Sequence, residues 1–229
     1  MISFMEKSQN QRQVIIGQAQ GEITEKKSRF IASVFEIHSE TEALSILESV
    51  RKKYYDARHN CYAYVLGERQ EIQRFSDDKE PQGTAGKPIL EVITKQGFSN
   101  TLIIVTRYFG GILLGTGGLL RAYTQAAAEG LSKATEKGSA SPIYTGLPMQ
   151  ITSDYSLSGK IQYIISQMNI PSGEPIYSQD VTYQVYPALT SADTLEQKIT
   201  EATAASATIT RGRPASYILT HNGPQPYNW

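Results

Sequence analysis

The chain has 229 residues, 22 Lys+Arg against 22 Asp+Glu, a formal net charge of zero and one cysteine, Cys61. That length predicts two domains, divided as 1–140 and 141–229. The balanced charge excludes a strong polyanion binder by composition alone, the lone cysteine excludes an internal disulfide or a cysteine metal cluster, and no apolar run reaches the roughly 20 residues of a membrane span.

Residues 1–12 are polar and read as a frayed start, and the opening MISFMEKSQNQRQ lacks the apolar core of a secretory signal. A reducing, cytoplasmic setting follows, with no membrane partner. Val14–Ile16 is predicted as a first short strand and Phe30–Ile37 as a second. Ser39 and Glu42 have capping-box spacing, and Leu44, Leu47, Val50 and Tyr54 recur at helical period, so a helix runs from about 40 to 55. Alternation over Asn60–Leu66 predicts a strand, and a turn at Gly67-Glu68 leads into another that ends near Phe75. The segment SDDKEPQGTAGK (76–87) is a loop, followed by a short helix from Pro88 to about Lys95. Thr101–Thr106 is a continuous β-branched run of the kind found in a central strand covered on both faces. The glycine-rich stretch 107–118 follows, then a helix from Leu119 to about Lys137 and a boundary near 138–146.

Beyond the boundary the pattern is strand (147–153), helix (156–168), strands (172–178 and 180–186), helix (191–205) and strand (207–211). That βαββαβ order predicts a ferredoxin-like domain. The turn-rich ending HNGPQPYNW is expected to be irregular.

Gly110, Gly111, Gly115, Gly117 and Gly118 lie between the buried strand and the long helix. Glycines there free the backbone to approach a bound group, and the unpaired N–H groups of the helix start favour an anion. Arg107 before the loop and Arg121 after it are placed to converge on that anion, so the stretch is a candidate phosphate seat with Arg29 and Tyr108 nearby in the same reading. The same glycines equally serve tight packing of a strand against a helix. Neither a P-loop nor a G-x-G-x-x-G fingerprint is present.

A second candidate is the acidic loop, where Asp77, Asp78 and Glu80 lie near Thr84, with His59 on the preceding strand. Carboxylates and a histidine can hold a metal that activates water, although aspartates in such loops also cap turns. His59 and Cys61 point to one face of their strand, which permits a thiolate–imidazole pair or simple burial of a small residue. Tyr62, Tyr64, Tyr108 and Phe109 could form an aromatic patch for a protein partner if exposed together.

KKSRFIA (26–32), ARHNCYAYVLG (57–67), RFSDDKEPQGTAGKPILEV (74–92) and VTRYFGGILLGTGGLLRAY (105–123) resemble the IMPACT family, in its bacterial two-domain YigZ-type form. The resemblance implies an α+β protein: an N-terminal domain like the second domain of ribosomal protein S5, then a ferredoxin-like domain, both similar to domains near the end of translation elongation factor G. It implies translational regulation through a partner protein in eukaryotic relatives and nucleic-acid binding in bacterial ones, with no cofactor. A proline dipeptidase label attaches to some members, yet this chain has no peptidase metal-ligand set. Two departures stand out: Lys79 replaces the usual glycine of a DDGEP stretch, and Leu113 occupies a place after GGI where a basic residue often stands. The expectation is therefore a non-enzymatic binder of RNA, a ribonucleoprotein or a translation-linked protein; the alternative is a metal-dependent hydrolase built on His59, Asp77, Asp78 and Glu80. Sequence leaves the oligomeric state open.

Overall fold

The computed structural model describes residues 12–229; the expected frayed start, Arg12 apart, lies outside them. The elements are β1 (Gln13–Ile15), β2 (Gln18–Glu25), β3 (Ser28–Glu36), α1 (Glu40–Lys53), β4 (His59–Leu66), β5 (Ile72–Ser76), α2 (Gly86–Lys95), β6 (Thr101–Tyr108), α3 (Gly115–Glu136), β7 (Ala140–Gly146), β8 (Met149–Ser153), α4 (Tyr155–Gln167), β9 (Ile176–Tyr177), β10 (Val181–Val185), α5 (Ala192–Ala202), β11 (Thr208–Arg211), β12 (Ala215–Thr220) and β13 (Gly223–Pro226). Two compact units divide the chain, one running to Pro142 and the other from Ile143 to Asn228.

The first unit is built on an antiparallel sheet of order β2-β3-β6-β4-β5. β6 takes the centre because Leu102, Ile103, Ile104 and Val105 are apolar on both of its faces, and all four are buried. Helix α1 covers one face, packing Ala43, Leu47 and Val50 on Tyr64, Leu66, Leu102 and Ile104. Helices α2 and α3 cover the other, where Ile89, Ile93, Tyr123 and Ala126 meet Phe30, Cys61, Val65 and Ile103. The start of α1 follows from its sequence. The Ser39 hydroxyl accepts the Glu42 N–H at 3.1 Å, and the Glu42 carboxylate accepts the His38 N–H at 2.7 Å.

Strand β2 was not expected, and its composition explains why. Only Ala19 and Gly21 point fully inward, so the strand carries no readable apolar alternation. A Cβ on Gly21 would lie 2.8 Å from the backbone of Glu129 and Gly130, so α3 packs directly on the β2 main chain. Helix α3 also starts earlier than expected, at Gly115, so the second half of the glycine run forms its first turn. β7 occupies the expected linker: Ala140–Pro142 pair with β1, and Ile143–Gly146 pair with β12.

In the second unit β8-α4-β9-β10-α5-β11 folds into a sheet of order β11-β8-β10-β9, antiparallel throughout and ferredoxin-like. Met149, Ile151, Val181, Tyr183, Leu195 and Ile199 are buried in its core. The expected irregular tail is instead the hairpin β12–β13, closed by the Thr220 hydroxyl donating to the Gly223 carbonyl at 2.9 Å. Pro224 and Pro226 hid it from a sequence reading, but β13 is an edge strand and tolerates them. The whole is α+β, an S5 domain 2-like unit followed by a ferredoxin-like unit. Among the described residues no helix is long and apolar enough to cross a membrane.

Candidate binding site

Strand alternation decides where the predicted residues go. Arg29 faces Tyr108 across the β3–β6 ladder, while Phe30 faces Arg107 and His59 faces Arg107 across β4–β6. Arg29 and Tyr108 therefore share the α1 face of the sheet, and Arg107, His59, Cys61 and Phe30 share the opposite one. One seat containing Arg29, Arg107 and Tyr108 together does not form. Arg29 is held by Glu22 through two hydrogen bonds of 2.5 and 2.8 Å, which lowers the Glu22 carboxyl below its ordinary range. Tyr108 donates its hydroxyl proton to Asp56 at 2.8 Å; burial, reinforced by that bond, pushes the phenol up to about 12.

Arg107 is an interior residue, 6% exposed. Its guanidinium donates to Glu80 at 2.6 Å, and the same carboxylate oxygen accepts the Tyr123 hydroxyl at 2.8 Å. The guanidinium also lies over the rings of Phe30 and Phe109, 5.4 and 5.8 Å from their centroids. This corrects the expectation that Arg107 and Arg121 converge as two free charges. An arginine buried beside a carboxylate is neutralised, because an unpaired charge in that interior would be far costlier.

The acidic loop is occupied in the same way. Asp77 accepts the N–H groups of Gly83, Ala85 and Gly86 at 2.8, 3.0 and 2.8 Å, so it caps the start of α2. Asp78 accepts the Asn60 N–H at 2.6 Å, and Thr84 donates to the Pro81 carbonyl at 2.6 Å. His59 donates from Nδ1 to the Asp78 carbonyl at 2.8 Å, leaving Nε2 3.9 Å from Glu80. Among the described residues no group of three or more His, Cys, Asp or Glu side chains is arranged to hold a metal. Cys61 lies 3.0 Å from the Asp77 carbonyl, and burial pushes its thiol far up, the opposite of an activated nucleophile. Lys79 has φ +70° and follows Asp78 at +39°, a left-handed pair that gives a physical reason for the family's usual glycine at this position.

The glycine loop remains open. Gly111 and Gly115 have φ of +83° and +69°, and a Cβ at either would meet nothing within 4 Å. Gly117 is nearly as open, with only the Arg121 guanidinium at 3.7 Å, while Gly118 packs on the Leu114 Cβ at 3.1 Å. Gly110 is a packing glycine: a Cβ there would run into the Lys27 backbone, and its N–H donates to the Ser28 hydroxyl at 3.1 Å. The β2–β3 hairpin tip thus rests against the loop and brings Lys26 and Lys27 to it. Arg58 precedes the β4 residue that pairs with Arg107. Lys26, Lys27, Arg58 and Arg121 are all exposed, and none makes an ion pair with a described residue.

Sequence reasoning missed Lys26 and Lys27 as neighbours of the loop, because only the packing of the β2–β3 hairpin tip on Gly110 brings them there. Tyr123 was equally hidden: it lies in the helix after the loop and meets Glu80 only in three dimensions. The expected aromatic patch does not form, since Tyr64 is buried, Tyr62 stacks on it with centroids 6.2 Å apart, and Tyr108 is half-buried.

Residues 26–131 match the Impact N-terminal domain and residues 151–206 match a domain of unknown function, DUF1949. The IMPACT family member YvyE of Bacillus subtilis (strain 168) is 37% identical over 193 residues, covering 83% of this chain and 86% of that protein. The IMPACT family member YigZ of Escherichia coli (strain K12) is 46% identical over 112 residues, covering 48% of this chain and 55% of that one. A crystal structure of a hypothetical protein, 29% identical, superimposes with a TM-score of 0.54 over 87% of this chain and 96% of that chain. With both halves matched and a relative covered over most of its length, the chain belongs to the IMPACT family.

Proposed function

We propose that this protein is a non-enzymatic binding protein that regulates translation by docking on RNA or a ribonucleoprotein of the translation machinery. The contact surface is the open glycine loop with its flanking cations. Lys26, Lys27 and Arg121 meet phosphates, and the N–H groups of the loop and of the start of α3 donate to further phosphate oxygens. Arg107 takes no part as a free charge; it anchors the strand end from which the loop departs.

The observation that carries this reading is the set of three exposed cations, Lys26, Lys27 and Arg121, without an ion pair to a described residue, beside the open backbone at Gly111 and Gly115. Membership of the IMPACT family, with the translational role that the resemblance implies, supplies the biological setting. The acidic loop supports no competing hydrolase reading, because Asp77, Asp78 and Glu80 are each bound to groups of the protein itself.

Binding of structured and single-stranded RNA over a salt series tests the proposal. For the unaltered protein, log affinity should fall with log salt by roughly 0.7 to 0.9 for each phosphate contact. A Lys27→Ala/Arg121→Ala variant should lower that slope by about two such contacts while melting like the parent. Identical curves for both proteins would overturn the assignment.

A further inference from the structure

The glycine loop carries more than charge. Phe109, Ile112, Leu113 and Leu120 are 45, 42, 83 and 47% exposed, four large apolar side chains between the end of β6 and the second turn of α3. Leu114, in the same run, packs against the core, so the chain is capable of turning these residues inward and does so for one of them. From Arg107 to Ala128 there is no aspartate or glutamate, and the first turn of α3 carries no acidic residue. Four exposed apolar side chains thus share one short, acid-free stretch of chain with Arg121, against which the hairpin tip carrying Lys26 and Lys27, and beside them Glu25, rests. An exposed apolar cluster with a charged rim marks an interaction surface.

We infer that this cluster is a docking site for an acidic protein segment bearing leucine-like side chains, supplied by a protein of the translation machinery. The inference rests on the function proposed above and names the partner chemistry of the same surface. Charge complementarity selects an acidic occupant: Lys26, Lys27 and Arg121 make no ion pair with a described residue, and on the ribonucleoprotein an acidic side chain takes the place that a phosphate takes when bare RNA is bound. The aliphatic character selects protein over bare RNA: single-stranded bases are held by stacking on aromatic faces, and three of the four apolar residues have none. An anionic lipid surface fits less well. The inner face of α3 is consumed by the core, so only a loop tip and one helical leucine could enter a bilayer, too little apolar surface for stable anchoring.

The test uses the full chain, purified ribosomal subunits, protein-free ribosomal RNA and phosphatidylglycerol vesicles. An Ile112→Ser/Leu113→Ser variant alters two exposed residues, and equal melting temperatures show that it folds. It should bind subunits at least tenfold more weakly than the unaltered protein, yet bind protein-free RNA equally well. A synthetic acidic peptide containing leucine should compete for the subunits, and its serine-for-leucine counterpart should not. Unchanged subunit binding, an equal loss on protein-free RNA, competition by both peptides, or an effect seen only with vesicles would overturn the inference. Failure of the unaltered protein to bind either subunits or RNA would instead overturn the function on which it rests.

Discussion

Arg107 and Arg121 flank one glycine run, yet the structure puts them in opposite environments. Arg107 lies on the α2/α3 face of β6, boxed in by Glu80, Phe30 and Phe109, while Arg121 stands on the outer face of α3 with no ionic partner among the described residues. The first is a structural cation and the second a surface one. Two arginines in one motif therefore do different work: the buried one fixes the loop's root, and the exposed one is available to a partner.

The sharpest way to break that comparison is to remove the buried charge. Arg107→Met should destabilise the protein by about 3–5 kcal/mol in urea unfolding, because the Glu80 carboxyl is left in the interior without its cation. Adding Glu80→Leu should recover a large part of that loss; a strictly additive double variant would deny that the two side chains act as a pair. Arg121→Ala, by contrast, should leave unfolding within about 0.5 kcal/mol of the parent.

The loop's two kinds of glycine make a second contrast. Gly110→Ala places a methyl group against the Lys27 main chain and should cost about 1–3 kcal/mol, loosening the hairpin from the loop. Gly117→Ala meets only ordinary contact and lies in a helical turn, so it should stabilise by about 0.5–1 kcal/mol. Thermal or urea melts of the two variants should move in opposite directions.

The buried polar cluster also predicts a dependence on pH. Burial raises the Cys61 thiol above its ordinary value near 9. Above that pH the unfolded chain has lost the thiol proton and the folded chain keeps it. Folding stability from this group is thus full below about pH 9 and falls by about 1.4 kcal/mol for each further pH unit. Urea unfolding should show that slope in the parent above about pH 9, and a shallower one in Cys61→Ala. A slope unaffected by the substitution would mean that the thiol is reachable by water.

Much of the fold was legible because periodicity and capping act locally. The α1 start at Ser39, the central position of β6 and the βαββαβ order of the second half all follow from residues close together in the chain. The α+β class with its S5 domain 2-like first half came from the resemblance to the IMPACT family. The positions that escaped are those whose reason lies elsewhere in the molecule. β2 is a strand because α3 needs a flat, side-chain-poor surface, and β13 is a strand because it forms an edge.

For the candidate site, the sequence by itself determined that a glycine-rich turn joins a buried strand to a long helix, with basic residues at both ends. Only the tertiary structure decided which of those residues are free. Strand alternation sent Arg29 and Arg107 to opposite faces, Glu80 came from a distant loop to neutralise one of them, and hairpin packing delivered Lys26 and Lys27. Charge is a property of a residue, but its availability depends on desolvation and on partners remote in sequence, which no local pattern records.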